Sequence, residues 1–141
     1  MKRRNFIKFS SALSLTTITG LYLPKAVFAD SDIINSSLAG KIFYTKNNPG
    51  RWANKVNGHL PTFIKDNNSI EITTGHEMNG YDHYIIKHML FDESFNLINE
   101  IMFNPEKDSP ISNHNISQLK NKVYALSLCN KHDAWLNSYN I

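Results

Sequence analysis

Six histidines and one cysteine are the side chains of this sequence that are best suited to chemistry. His59 stands alone, His76 and His83 bracket a short loop, and Cys129 and His132 form a Cys-x-x-His near the end of the chain. A thiolate with several imidazoles suits iron, copper or zinc better than magnesium or calcium. Cys-x-x-His by itself is a common pattern, so a metal centre here requires the distant imidazoles to converge on it.

The other two histidines and the tryptophans have weaker claims to a site. His88 lies five residues beyond His83, and strand alternation would place the two on opposite faces, so we expect His88 to be structural. His114 falls in a polar segment that we interpret as a loop. Trp52 and Trp135 are expected in the core or as a hydrophobic surround of the site. The single cysteine excludes an intrachain disulfide, a four-cysteine zinc site and an iron–sulfur cluster held by this chain alone.

The elements that must position these residues are predicted to be β-strands. Short alternating or β-branched runs are separated by turn residues, and no amphipathic helix of convincing length occurs. Residues 104–115, with two prolines, are predicted to be a loop, and a hairpin is expected across residues 66–68. The predicted strands are 41–45, 62–65, 69–73, 82–91, 95–103, 122–128 and 134–139. Six to eight strands in about 100 residues indicate an antiparallel sandwich or barrel.

Length and charge narrow the function classes. A chain of 141 residues with 41% hydrophobic and 19% charged residues leaves room for one packed domain. The formal charge is +3, but residues 1–29 hold five of the fifteen basic residues and none of the twelve acidic ones. The remainder is therefore mildly acidic, which gives no electrostatic footprint for a nucleic-acid partner.

Residues 1–29 are typical of an export signal. A basic start with Arg3 and Arg4 precedes an uncharged stretch over 9–23, and Ala29 ends a segment suited to cleavage. The paired arginines are similar to the twin-arginine motif, so we expect export by the twin-arginine machinery to the periplasm. An uncleaved anchor is the alternative. We expect a polar tether over 30–40 and a single domain over 41–141.

Three groups of residues together resemble the motifs of the superoxide reductases, the neelaredoxin and desulfoferrodoxin iron domain. They are Gly-His-Leu-Pro at 58–61, His-Glu-Met at 76–78 with His-Tyr-Ile at 83–85, and Cys-Asn-Lys-His-Asp-Ala-Trp at 129–135. The segment 44–52 is similar to an exported subgroup of that family. The match covers nearly all of the chain beyond the export signal.

This resemblance implies an all-β, immunoglobulin-like antiparallel β-sandwich of about seven strands, with one mononuclear Fe(2+)/Fe(3+) centre. It implies equatorial ligation by His59, His76, His83 and His132 and axial ligation by Cys129. The implied reaction reduces superoxide to hydrogen peroxide with one electron and two protons. Backbone N–H groups just after Cys129 would tune the sulfur. No rubredoxin-type centre is present, so an external electron donor is implied.

The sequence departs from the family pattern at two places. The loop from His76 to His83 is one residue longer than the commoner spacing, which a flexible Asn-Gly at 79–80 could absorb. Asn57 and Gly58 stand where the family usually has a Glu and a Lys before the first ligand. Lys55 is a candidate substitute for that lysine as a catalytic residue.

Other functions stay open at this point. A metal-binding relative without catalysis, acting as a sensor or store, would also fit the altered pair before His59. A blue-copper electron carrier would need a methionine soon after His132, and none follows Met102. A sandwich without metal is the structural alternative, and a homo-oligomer is left open.

Overall fold

Two antiparallel sheets form the body of the protein. The structure, a computed structural model, describes residues 32–141, so the predicted export signal and the start of the predicted tether lie outside it. A three-stranded sheet has the order β1-β2-β5 and a four-stranded sheet the order β4-β3-β6-β7. The strands are β1 (Thr62–Asp66), β2 (Ser69–Thr73), β3 (Ile85–Phe91), β4 (Leu97–Met102), β5 (Ile111–Asn115), β6 (Lys122–Cys129) and β7 (Asp133–Asn140). The predicted all-β sandwich of about seven strands is confirmed.

The core lies between the sheets and is built by strand alternation. In β2, Ile70 and Ile72 are fully buried while their neighbours are partly exposed. These two isoleucines pack against Leu90 of β3 and against Val123 and Ala125 of β6. Burying such side chains stabilises the fold by about 1.5–3 kcal/mol each.

Strand β6 is apolar on both faces because a second layer covers it. The segment before β1 begins with a 3-10 helix over Ile33–Asn35, and its isoleucines pack against the cluster that contains Tyr124 and Leu136. The carboxylate of Asp32 accepts hydrogen bonds from Lys122 Nζ at 2.7 Å and from the Tyr124 hydroxyl at 2.9 Å. The domain limits inferred from the sequence stay predictions.

The hairpin prediction is confirmed and three other predictions are wrong in whole or in part. Strands β1 and β2 pair directly, with Asn67 at φ 50° in the turn. Residues 41–45 form only isolated bridges, one of which joins Tyr44 to Trp135 of β7. Residues 104–115 are not all loop, because β5 occupies the end of that segment. Strand β3 begins at Ile85 rather than at residue 82, because residue 82 lies in a turn and His83 forms only an isolated bridge with Asn79.

Helical structure among residues 32–141 is short. A 3-10 helix over Gly50–Lys55 runs into a single α-helical turn, α1, over Val56–His59. No helix in this part of the chain has the length and apolar character needed to cross a membrane. The turn of α1 matters because it delivers His59 to the end of the sandwich.

Candidate metal centre

Five donor side chains from separate parts of the sequence meet at one end of the sandwich. His59 ends α1, His76 follows β2, His83 precedes β3, Cys129 ends β6, and His132 lies in the turn between β6 and β7. Their donor atoms all lie within 4.8 Å of one another. The structure therefore brings together the whole set that the sequence resemblance implied as ligands.

Three short distances link the four imidazole nitrogens in a row. His59 Nε2 lies 2.9 Å from His132 Nδ1, and His132 Nδ1 lies 3.0 Å from His83 Nε2. His83 Nε2 lies 3.1 Å from His76 Nε2. Two nitrogens bound to one metal ion at about 2.1 Å and at right angles to each other lie about 3.0 Å apart. The spacing of these nitrogens fits a first-row metal ion.

Backbone carbonyls fix the tautomers of two of these histidines. His59 Nδ1 donates to the Lys55 carbonyl at 3.0 Å, and His76 Nδ1 donates to the Glu77 carbonyl. A neutral imidazole that donates through Nδ1 keeps a lone pair at Nε2, so both Nε2 atoms can bind a metal ion. The tautomers of these two histidines therefore fit metal ligation.

Burial keeps the four imidazoles neutral. It lowers the pKa of His59 from 6.5 to about 4. Burial is also the largest cause of the lowered pKa of His76, His83 and His132. Only the neutral imidazole can bind a metal ion, so these shifts favour ligation at neutral pH.

The Sγ atom of Cys129 lies farther from two of the imidazole nitrogens than neighbouring nitrogens lie from one another. Its Sγ is 3.7 Å from His132 Nδ1 and 3.9 Å from His76 Nε2, which suits an apical position. Burial raises the pKa of the thiol, and hydrogen bonds from the N–H groups of Lys131 and His132 oppose that rise. The Lys131 N–H donates to Sγ at 3.5 Å, so the predicted hydrogen bonding to sulfur is confirmed.

Two tryptophans surround His132, as predicted. Trp135 is fully buried, and its indole N–H donates to the His132 carbonyl at 2.8 Å. The Trp52 ring meets the His132 ring edge-on, with centroids 4.7 Å apart. Trp52 is held there by a 2.9 Å hydrogen bond to the Asp133 carboxylate, which also pairs with Arg51. These contacts restrict the orientation of the His132 ring.

Asn130 is a site residue that the sequence prediction missed. Its side-chain oxygen accepts from the Tyr84 N–H at 3.0 Å, and its amide donates to the carbonyls of Tyr81 and Asp82. This one side chain thus attaches the turn after Cys129 to the loop that carries His83. Its position next to a candidate ligand was the signal available in the sequence.

The additional residue between His76 and His83 is absorbed by a tight turn. The Asn79 N–H donates to the His83 carbonyl at 2.9 Å, and Gly80 adopts φ 53°. A left-handed conformation favours glycine because a Cβ atom would be strained there. The predicted role of the Asn-Gly pair agrees with this geometry.

The centre opens into a cavity of about 270 Å³. Lys55 lies at this opening, and its charge contributes to the lowered pKa of His76, His83 and His132. A larger cavity of about 630 Å³ lies around the other end of β6, where no group of potential metal ligands occurs among residues 32–141. The smaller cavity is lined by Asn54, Lys55, Gly58, His59, Gly75, His76, Glu77, Asn79 and His83.

His88 and His114 lie outside the centre, inside the sandwich. His88 is completely buried on β3, which agrees with the structural role predicted for it. The loop predicted around His114 is wrong, because His114 is a buried residue of β5.

The metal-free protein should become less stable as the pH decreases, because of His88. Burial lowers the pKa of His88 from 6.5 to about 3. Below pH 6.5 His88 is protonated in the unfolded chain, whereas in the folded chain it stays neutral down to about pH 3. The contribution of His88 to the free energy of unfolding is therefore fully present above pH 6.5 and declines as the pH decreases. Between pH 7 and pH 4.5 the loss from His88 should be about 3 kcal/mol. Urea unfolding of wild type and His88→Gln at both pH values measures it.

Other buried histidines titrate in both proteins, so the difference between the two isolates His88. The free energy of unfolding of His88→Gln should depend less steeply on pH than that of wild type. Equal pH dependence in the two proteins would show that His88 is not a buried neutral imidazole.

Comparison with known proteins shows a shared fold. No family model matches the sequence, and a search of curated proteins also gives no match. A superoxide reductase (neelaredoxin) from Ignicoccus hospitalis superposes with a TM-score of 0.59 at 22% identity, covering 72% of this chain and 95% of that one. A superoxide reductase (1Fe-SOR) from Giardia intestinalis gives 0.53 at 21% identity, covering 60% and 98%. The superoxide reductase from Treponema pallidum gives 0.51 at 18% identity, covering 60% and 69%. The chain therefore has the β-sandwich fold found in superoxide reductases.

Proposed function

We propose that this chain is a periplasmic superoxide reductase-like protein that holds one iron ion. The ion would be held by the imidazoles of His59, His76, His83 and His132 and by the thiolate of Cys129. The observation that carries this proposal is the convergence of these five donors on one point of a fold that superoxide reductases share. Export by the twin-arginine machinery is part of the proposal and rests on the sequence of residues 1–29.

Iron bound here would supply one electron to superoxide, which takes up two protons and becomes hydrogen peroxide. The protein residues hold the site ready for this reaction. The carbonyls of Lys55 and Glu77 keep the Nε2 lone pairs of His59 and His76 directed inward. Hydrogen bonds from backbone N–H groups to Cys129 Sγ moderate the electron density that the sulfur can donate. An external donor would return the electron to the centre after each cycle.

Stoichiometry tests the reaction. Iron-loaded, reduced protein should convert each superoxide into one hydrogen peroxide and should release no dioxygen. Pulse radiolysis gives the rate, and an oxygen electrode separates reduction from dismutation, which releases dioxygen. Superoxide that decays at the uncatalysed rate, with the iron left reduced, would contradict the proposal.

Lys55 is proposed to attract superoxide to the open face. It is half-buried at the cavity, and no ion pair of Lys55 occurs in the part of the chain that the structure describes. A cation at the opening raises the local concentration of an anionic substrate. Lys55→Ala should therefore slow the reaction with superoxide by roughly fivefold at low salt, and salt should reduce the difference.

Lys120→Ala is the matched control for Lys55→Ala. Lys120 is an exposed lysine just before β6, at the strand end opposite Cys129. Its removal changes the net charge equally and should leave the rate unchanged. Equal rates in both variants and wild type would remove the role proposed for Lys55.

A second candidate is a metal-binding relative without catalysis, acting as a sensor or store. The observation that favours it concerns the two residues before His59: Gly58 lines the opening without a side chain, and Asn57 carries no charge. Such a protein would bind iron in the same cage but would not speed superoxide decay. The stoichiometric assay above separates the two candidates.

A further inference from the structure

A chain of buried polar side chains crosses the interior of the sandwich below the metal centre. Its members are at most 3% exposed, although they lie among isoleucine, leucine and valine side chains. Polar groups are costly to bury unless hydrogen bonds satisfy them. The five members are Thr74, His88, Ser112, His114 and Ser127.

Four hydrogen bonds join these side chains in a line. Ser127 Oγ and Thr74 Oγ1 are 2.8 Å apart, and Thr74 Oγ1 is 2.9 Å from His88 Nε2. His88 Nδ1 is 2.8 Å from Ser112 Oγ, which is 2.8 Å from His114 Nε2. His88 and Ser127 belong to the four-stranded sheet, whereas Ser112 and His114 belong to the three-stranded sheet. The line therefore ties the two sheets together.

The end of the line at His114 fixes the direction of every hydrogen bond in it. His114 Nδ1 is buried and has no partner among the residues that the structure describes. A buried lone pair without a partner is less costly than a buried N–H without one. His114 is therefore protonated at Nε2 and donates to Ser112, which in turn donates to Nδ1 of His88.

The hydrogen bonds keep the same direction from His88 to Thr74 and Ser127. Because Nδ1 of His88 accepts, neutral His88 carries its proton at Nε2 and donates to the Thr74 hydroxyl. The Thr74 hydroxyl in turn donates its own hydrogen to Ser127. His88 stays neutral, because burial lowers its pKa to about 3. His88 thus donates to Thr74, and the Thr74 hydroxyl donates to Ser127.

Thr74 and Ser127 are each two residues away from a candidate ligand. The Thr74 carbonyl accepts from the His76 N–H at 2.7 Å, a tight turn that couples the position of His76 to that of Thr74. Ser127 and Cys129 are alternate residues of β6 and face the same interior. The hydrogen bond between Thr74 and Ser127 is thus a brace between two ligand-bearing segments.

We propose that Thr74 and Ser127 are positioning residues that set the placement of His76 and Cys129 at the metal centre. This inference rests on the proposed function, since it requires the five donors to bind a metal ion. Ligand distances in metal sites vary by only about 0.2 Å, so loss of the brace should weaken binding and alter the bond to sulfur.

Cobalt(II) titration of the purified, metal-free full chain tests the brace. Thr74→Val keeps the shape of the side chain but removes the hydroxyl. It should weaken Co(II) binding by roughly tenfold, as loss of outer-shell partners does, and should shift the thiolate-to-cobalt absorption band. Ser127→Ala removes the same hydrogen bond from the other side and should act alike. Thr74→Ser, which restores the hydroxyl, should recover both the affinity and the band.

Ser112→Ala is the matched control. It also removes a buried hydroxyl with two hydrogen bonds of the same line, but Ser112 does not adjoin a ligand-bearing segment. His88 Nδ1 then keeps an unpaired lone pair, so His88 still donates to Thr74 through Nε2. Urea unfolding of the metal-free variants should show that it costs stability, as Thr74→Val does. Its Co(II) affinity and absorption band should match wild type.

The outcomes distinguish the brace from the metal centre itself. Equal Co(II) affinity and an unshifted band in Thr74→Val and Ser127→Ala would overturn the positioning role while leaving the metal centre intact. Equal weakening in Ser112→Ala and Thr74→Val would also overturn it, since the effect would then be general destabilisation. Wild type that takes up no Co(II) would overturn the metal centre and the brace with it.

Discussion

Cys129→Ser is expected to abolish the visible absorption band of the oxidised, iron-loaded protein. That band requires a thiolate bound to ferric iron, and the part of the chain that the structure describes holds no other cysteine. Serine keeps the shape of the side chain but supplies no sulfur. The reaction with superoxide should be lost along with the band, because the Cys129 thiolate would supply the bound iron with electron density that favours electron transfer.

Iron content separates loss of the thiolate from loss of the site. The four imidazoles are unchanged in Cys129→Ser, so the variant should still bind iron, with lower affinity, when iron is supplied in excess. Visible spectra of wild type and variant at equal iron content give the comparison. A band that persists unchanged in the variant would refute the axial role of Cys129.

Removal of the metal should lower the melting temperature by a wide margin. The Nε2 lone pairs of His59 and His76 are available to a metal ion, and neighbouring nitrogens of the four histidines lie only 2.9–3.1 Å apart, so one ion can bind all four. Free metal at a thousand times its Kd adds about 4 kcal/mol of stability. For a domain of about 100 residues this is roughly 15–25 °C in melting temperature. Calorimetry of the loaded and metal-free protein measures the difference.

Reloading with different ions is the control for that experiment. Iron(II) should restore the higher melting temperature, and magnesium should not, because imidazole and thiolate ligands do not suit a hard cation. Melting at the same temperature with and without the metal would show that the five side chains do not form a binding site.

Much of the fold could be predicted from the sequence, because hydrophobic and polar residues alternate along several strands and the hydrophobic ones are buried. Ile70 and Ile72 of β2 face the core, as their spacing indicated. Strand β5 escaped prediction because its inward residues, Ser112 and His114, are polar and give no hydrophobic alternation. The strand is held instead by its pairing with β2 and by hydrogen bonds inside the sandwich. Both involve residues that are distant in the sequence, so they leave no local pattern.

The candidate ligands were identifiable from the sequence, whereas the residues that hold them were not. Cys129 and His132 belong to a motif with a fixed spacing, which a resemblance can transfer. Asn130 and Thr74 act through hydrogen bonds to residues that are distant in the chain, such as Tyr84 and Ser127. Hydrogen bonds of that kind depend on the packing of the two sheets and have no sequence pattern of their own.

Metal analysis of the purified protein, combined with its visible spectrum, tests the central claim most directly. Protein produced in iron-replete cells should contain one iron per chain, and oxidation should produce a thiolate-to-iron band that reduction bleaches. Protein that holds copper or zinc in place of iron, or no metal at all, and that shows no such band, would contradict the account.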